Sequence, residues 1–133
     1  MTLLSLWGPV VLVMALIFTA SSLSDPGAPP GGLSDKSAHI IAYAALGATL
    51  VRALGQGRSA AVTPRRVLIA ALLATLYGMS DELHQWFVPG RNAEWLDVAA
   101  DALGGVIGAA GWALAVRAAH GTKNRKRTRS AGL

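Results

Sequence analysis

Residues 3–23 contain no ionisable side chain and are almost wholly apolar. At 1.5 Å per residue, about 20 such residues cross a hydrocarbon core of about 30 Å, so the run reads as a membrane-spanning helix. Three further apolar runs follow, at 37–54, 67–88 and 95–116. Charged residues make up 14 % of the chain against the roughly 25 % usual in soluble proteins, which disfavours a soluble globule. Small residues at Thr19, Ala20, Ser21 and Ser22 make a cleavable signal peptide the rival reading of the first run. No base precedes that run, however, and it exceeds the about 7–15 residues of a signal core, so a retained span is expected. With no cysteine, disulfides, thiolate zinc sites and iron–sulfur clusters are excluded.

The connections carry loop chemistry. Pro26, Pro29 and Pro30 with Gly27, Gly31 and Gly32 separate the first two runs; Gly55, Gly57 and Thr63-Pro64 separate the next pair. Thr63 suits a helix N-cap and Pro64 the first helical position. Val88-Pro89-Gly90-Arg91 suits a type II turn, which would join the last two helices as an antiparallel pair. The expected fold is all-α: a four-helix transmembrane bundle with short structured outer loops.

Charge orients it. Arg52, Arg58, Arg65 and Arg66 flank the second connection, and Arg117, Lys123, Arg125, Lys126, Arg127 and Arg129 follow the last span, with no acid among them. The opposite side holds Lys36 and Arg91 with all seven acids, Asp25, Asp35, Asp81, Glu82, Glu94, Asp97 and Asp101. Bases are retained in the cytoplasm, so both termini are expected inside. Residues 1–120 then form the membrane domain, and 121–133 a basic cytoplasmic tail without fixed structure. The bases are split among apolar runs and unaccompanied by aromatic platforms, so no nucleic-acid partner is expected; membrane lipids are.

Three spans bring ionisable groups to one depth. Asp81 and Glu82 fall about 21–23 Å along the third span, His39 at a similar level on the second, and Asp97 and Asp101 on the first turns of the fourth. Helical spacing gives each an inward face: Lys36, His39 and Tyr43; Tyr77, Asp81 and Gln85, with Glu82 and His84 on the flanks; Asp97 and Asp101, continuing through Gly104 and Gly108 to Gly111 and Ala115. A carboxylate facing lipid costs a few kcal/mol or more, so the cluster must face a cavity or partners. As a polar clamp it would only hold the bundle together; as a site it would bind. Gly104, Gly105 and Gly108 suit close helix packing, and Trp7, Trp86, Phe87 and Trp95 an interfacial belt.

The segments Asp35-Lys36-x-x-His39-x-x-x-Tyr43, Asp81-Glu82-x-His84-Gln85-x-Phe87-x-Pro89-Gly90-Arg91 and Asp97-x-x-x-Asp101-x-x-Gly104 together resemble the pattern of VanZ-like membrane proteins. The resemblance implies a multi-pass protein of the bacterial cytoplasmic membrane, in a family whose namesake is associated with low-level teicoplanin resistance. By motif position it nominates Lys36, His39, Tyr43, Glu82, Gln85, Pro89, Arg91, Asp97 and Asp101. Many relatives carry Asn at the position of Asp101, and the resemblance implies no particular reaction.

Three functions compete. The preferred one is binding: Lys36 and Arg91 would engage an anionic group of a lipid-linked envelope precursor or glycopeptide, and Asp81, Glu82, Gln85, Asp97 and Asp101 its donors. The second is an enzyme acting on an outer-leaflet head group, with Glu82 or His39 as acid or base. No serine or cysteine nucleophile motif and no known metal spacing accompanies them, so neither cofactor nor metal is expected. The third is a small transporter or flippase, which would require a homo-oligomer.

Overall fold

The computed structural model describes residues 1–57 and 62–130. Four helices, α1 (Leu3–Ser21), α2 (Asp35–Leu54), α3 (Pro64–Gln85) and α4 (Trp95–Ser130), follow in order, with one 3₁₀ turn at Pro30–Gly32 between the first two. No strand occurs among the described residues. Each helix is long and apolar enough to cross a membrane, α4 over Trp95–Thr122.

The starts follow from capping. The Thr2, Ser34 and Thr63 side chains accept from the backbone N–H of Ser5, Ser37 and Arg66, and Pro64 opens α3 as expected. Capping by Ser34 starts α2 at Asp35, two residues before the expected boundary. α3 ends at Gln85 rather than at 88, because Val88 precedes Pro89 and is steered away from helical geometry. Tightened bonds from Phe87 N to His84 O (3.0 Å) and Val88 N to Gln85 O (2.9 Å) close the helix. The expected turn then forms: Arg91 N donates to Val88 O (3.1 Å) and Gly90 has φ +81°.

α4 departs further from expectation. Its backbone stays helical past 116 and through 121–130, where no order is expected, because no proline interrupts the Ala-, Lys- and Arg-rich sequence. Arg58 and the last three residues of the tail lie outside the described residues.

The tightest packing is between α2 and α4. A Cβ on Gly108 would stand 1.8 Å from Ala44 O, one on Gly104 2.4 Å from Ile40 O, and one on Gly47 2.2 Å from Gly105 O. Backbone therefore meets backbone along this seam, the small-residue packing expected of Gly104 and Gly108. Gly105 turns instead toward α3, where its Cβ would meet Ala74. The buried stripe of α4 runs through Asp97, Asp101, Gly105, Ala109 and Ala113, not on to Gly111 and Ala115, which are exposed. Contact thus follows an i, i+4 ridge, which winds around the helix instead of staying on one 3.6-residue face.

Leu46, Leu50 and Val51 of α2, Ala70 and Ala74 of α3, Ala109 and Ala113 of α4, and Val10 and Ile17 of α1 form the apolar core. Among the described residues α1 packs on α2 and α3 and not on α4. Pro9 lies within α1 and has no N–H for the carbonyl of Ser5. The Arg52 guanidinium of α2 donates to that freed oxygen at 3.0 Å, tying the two helices together at their basic ends.

Candidate functional site

At the opposite end of the bundle the start of α2, the end of α3 and the start of α4 meet, covered by the 22–34 connection and the 86–94 turn. Asp81, Glu82, Gln85, Asp97 and Asp101 are all buried there, as is Tyr43, while His39 is nearly so. The inward faces expected on the three helices are therefore brought together.

The network is ordered by charge. Lys36 Nζ bridges Glu94 Oε2 (2.8 Å) and Asp97 Oδ1. Lys36 holds the exposed Glu94 carboxyl below its ordinary pKa by direct hydrogen bonding and Coulombic attraction. One level deeper, His39 Nδ1 lies 2.8 Å from Asp101 Oδ1. Gln85 is the hub of the α3 side: its Nε2 donates to Asp81 Oδ2 (3.2 Å) and Glu82 Oε1 (3.3 Å), and its Oε1 accepts from Arg91 Nη2 (2.7 Å) and Nε (3.2 Å). Glu82 Oε2 accepts the backbone N–H of Glu94 at 2.9 Å, fastening the turn to α3. Gly90 keeps the turn close: a Cβ there would lie 3.1 Å from Ser24 O.

Arg91 thus grips an amide oxygen, not a carboxylate. Asp97 has Lys36 and Asp101 has His39, but Asp81 and Glu82 receive only neutral donors among the described residues. Three buried atoms at this end, Tyr43 Oη, Asp81 Oδ1 and Asp101 Oδ2, have no partner. Buried polar groups are usually satisfied, so such orphans mark a place built for something besides this chain's own packing.

Two sequence candidates serve elsewhere. Tyr77 donates its hydroxyl to Met14 O (2.8 Å), pinning α1 to α3. His84 faces α1, with Nε2 3.0 Å from Ser22 Oγ and its ring stacked 4.7 Å from Phe18. Glu82, placed on a flank by spacing, is 5 % exposed because the 86–94 turn folds back over it. Trp86, Phe87 and Trp95 are exposed, as belt residues would be. The sequence reading missed Gly78: a Cβ there would strike Asp101 Oδ2 at 2.6 Å, so its absence makes room for the carboxylate. A glycine one turn before Asp81 on the same helix was the available signal.

Between α1, α2, α3 and the 22–34 connection lies a cavity of about 240 Å³. Its lining is mixed: Ile17, Ala20, Pro26, Ala28, Pro29, Ala38 and Ala42 are apolar, and Ser21, Asp35, His39, Tyr43, Asp81, Gln85 and Arg91 are polar or charged. Donor atoms of His39, Glu82 and Asp101 lie within 4.8 Å of one another, as do those of Asp35, His39 and Asp97, close enough to share a cation. The first group takes one ligand from each of α2, α3 and α4, so no linear spacing could announce it; in the second, Asp35 and His39 share α2 at i, i+4 and only Asp97 comes from another helix.

Fold and site define a multi-pass membrane protein with a carboxylate-rich polar centre buried at one end of its helices. The chain belongs to the VanZ/LLP1 family, whose model matches residues 9–116. No curated protein and no solved structure matches it.

Proposed function

We propose that the chain resides in the bacterial cytoplasmic membrane with both termini inside, binds a lipid-linked or glycopeptide-type envelope ligand at its outward polar end, and contributes to teicoplanin-type resistance. The observation that carries this reading is the mixed lining of the cavity, apolar at Ile17, Pro26, Pro29 and Ala42 and polar at His39, Tyr43, Asp81, Gln85 and Arg91. That mixture suits an amphiphile, with its anionic group on Arg91 and its apolar part against Ile17 and Pro29. The orientation rests on ten bases flanking one end of the spans and all seven acids lying at the other.

The test is the teicoplanin susceptibility of bacteria expressing the chain or its Arg91→Ala and Glu82→Ala variants at matched membrane levels. Protection by the parent, lost in Arg91→Ala, is expected; equal susceptibility in all strains would sink the resistance role. Acid–base chemistry on a head group is the second reading, favoured by His39 and Glu82 converging on one corner of the site. Conversion of a lipid-linked precursor by purified protein, followed by mass spectrometry, separates catalysis from binding.

A further inference from the structure

We infer that His39, Glu82 and Asp101 form a site for one first-row divalent cation. One donor atom from each comes from α2, α3 and α4, and the three lie within 4.8 Å of one another. One imidazole and two carboxylates suit zinc or manganese, and three protein ligands leave coordination positions open.

Charge balance points the same way independently of the donor geometry. Of four buried carboxylates, Asp97 has Lys36 and Asp101 has His39, while Arg91 is turned to the Gln85 amide and Asp81 and Glu82 receive only neutral donors among the described residues. A dication between Glu82 and Asp101, with His39 neutral, cancels two of the remaining charges at the point where they converge. Desolvated carboxylates need such compensation.

One of the unsatisfied buried atoms belongs to a proposed ligand. Asp101 is fully buried and its Oδ2 has no partner, although Gly78 holds open the space that this oxygen occupies. The Tyr43 hydroxyl, 1 % exposed and also unpartnered, stands one turn along α2 from His39. The bond between His39 Nδ1 and Asp101 Oδ1 at 2.8 Å already sets these two groups side by side, and a cation bound between them would take the place of the proton that they share. The alternative trio with Asp35 and Asp97 is disfavoured, since Asp35 is exposed and Asp97 is held by Lys36.

The test uses the full chain, purified in detergent, stripped of metal and titrated with Zn²⁺ and separately with Mn²⁺. One ion per chain is expected. Glu82→Gln and Asp101→Asn, isosteric and monodisperse on size exclusion, should each weaken binding by at least the about 10–100-fold that loss of an outer-shell partner costs. Asp35→Asn should leave it unchanged. Absence of binding in the parent, or binding that survives both amide variants, or loss in Asp35→Asn, overturns the site. Should the amide variants not fold, X-ray absorption of zinc on the parent decides: one imidazole with carboxylate oxygens is expected. A shell of two or more imidazoles, drawn from the three histidines, overturns it.

Discussion

Gly108 and Gly111 lie three residues apart on α4 and have opposite surroundings. Gly108→Ala drives a methyl into Ala44 O and is expected to cost at least about 1–3 kcal/mol as overpacking, whereas Gly111→Ala meets nothing within 4 Å and should stabilise by about 0.5–1 kcal/mol. Thermal melting in detergent reads both; equal effects would refute the backbone seam. Lys36→Met leaves the buried Asp97 without its cation and should destabilise by up to about 3 kcal/mol, below the full value for buried pairs because the Lys36 side chain is 38 % exposed. Adding Asp97→Asn should recover part of that loss. Glu94 gives a pH signature. Its folded pKa is depressed by Lys36, so its contribution is fully present above the ordinary glutamate pKa and is lost as pH falls through the depressed value. Glu94→Gln should remove that part of the acid slope in the melting temperature.

The link between α1 and α2 depends on a bond that α1 cannot make for itself. Arg52→Ala should cost about 1.5–3 kcal/mol, the range for a hydrogen bond from a charged donor. In a Pro9→Ala background α1 recovers its own donor for Ser5 O, so the Arg52 effect should shrink; additive losses in the double-mutant cycle would contradict the tether. The start of α3 and the 88–91 turn were legible in the sequence because Thr63-Pro64 and Pro89-Gly90 act locally, through φ and one side-chain oxygen. The end of α3 was misplaced because apolar pattern extends through Val88 while backbone sterics at Pro89 stop the helix earlier. That Glu82 turns inward was legible from the cost of a carboxylate in lipid, but its partner, the Glu94 N–H, was not, because that group arrives from the far side of a turn. Gly78 and Pro9 were visible as residues, but their purposes lie in other helices.

The bundle as a whole should sit in the membrane one way round. The chain lacks cysteine, so single replacements report without background. Asn92→Cys, in the exposed turn beside the site, should react with an impermeant maleimide in intact cells, and Gly121→Cys only after permeabilisation; the reverse pattern would invert the proposed orientation. The four long apolar helices were readable from hydropathy and length alone. The α4 buried stripe was not, since it depends on how two helices cross. The seam also divides the molecule mechanically. Backbone contact leaves α2 and α4 no side-chain layer to slide on, and α3 is keyed to α4 at Gly105 and to Asp101 at Gly78, so three helices make a stiff frame. Among the described residues α1 touches only two of them and, with the 22–34 connection, forms one whole wall of the cavity. On the proposed binding role, entry past α1 would have to break three contacts spaced along it, Arg52 to Ser5, Tyr77 to Met14 and Ser22 to His84, so this wall is pinned at both ends and at its middle.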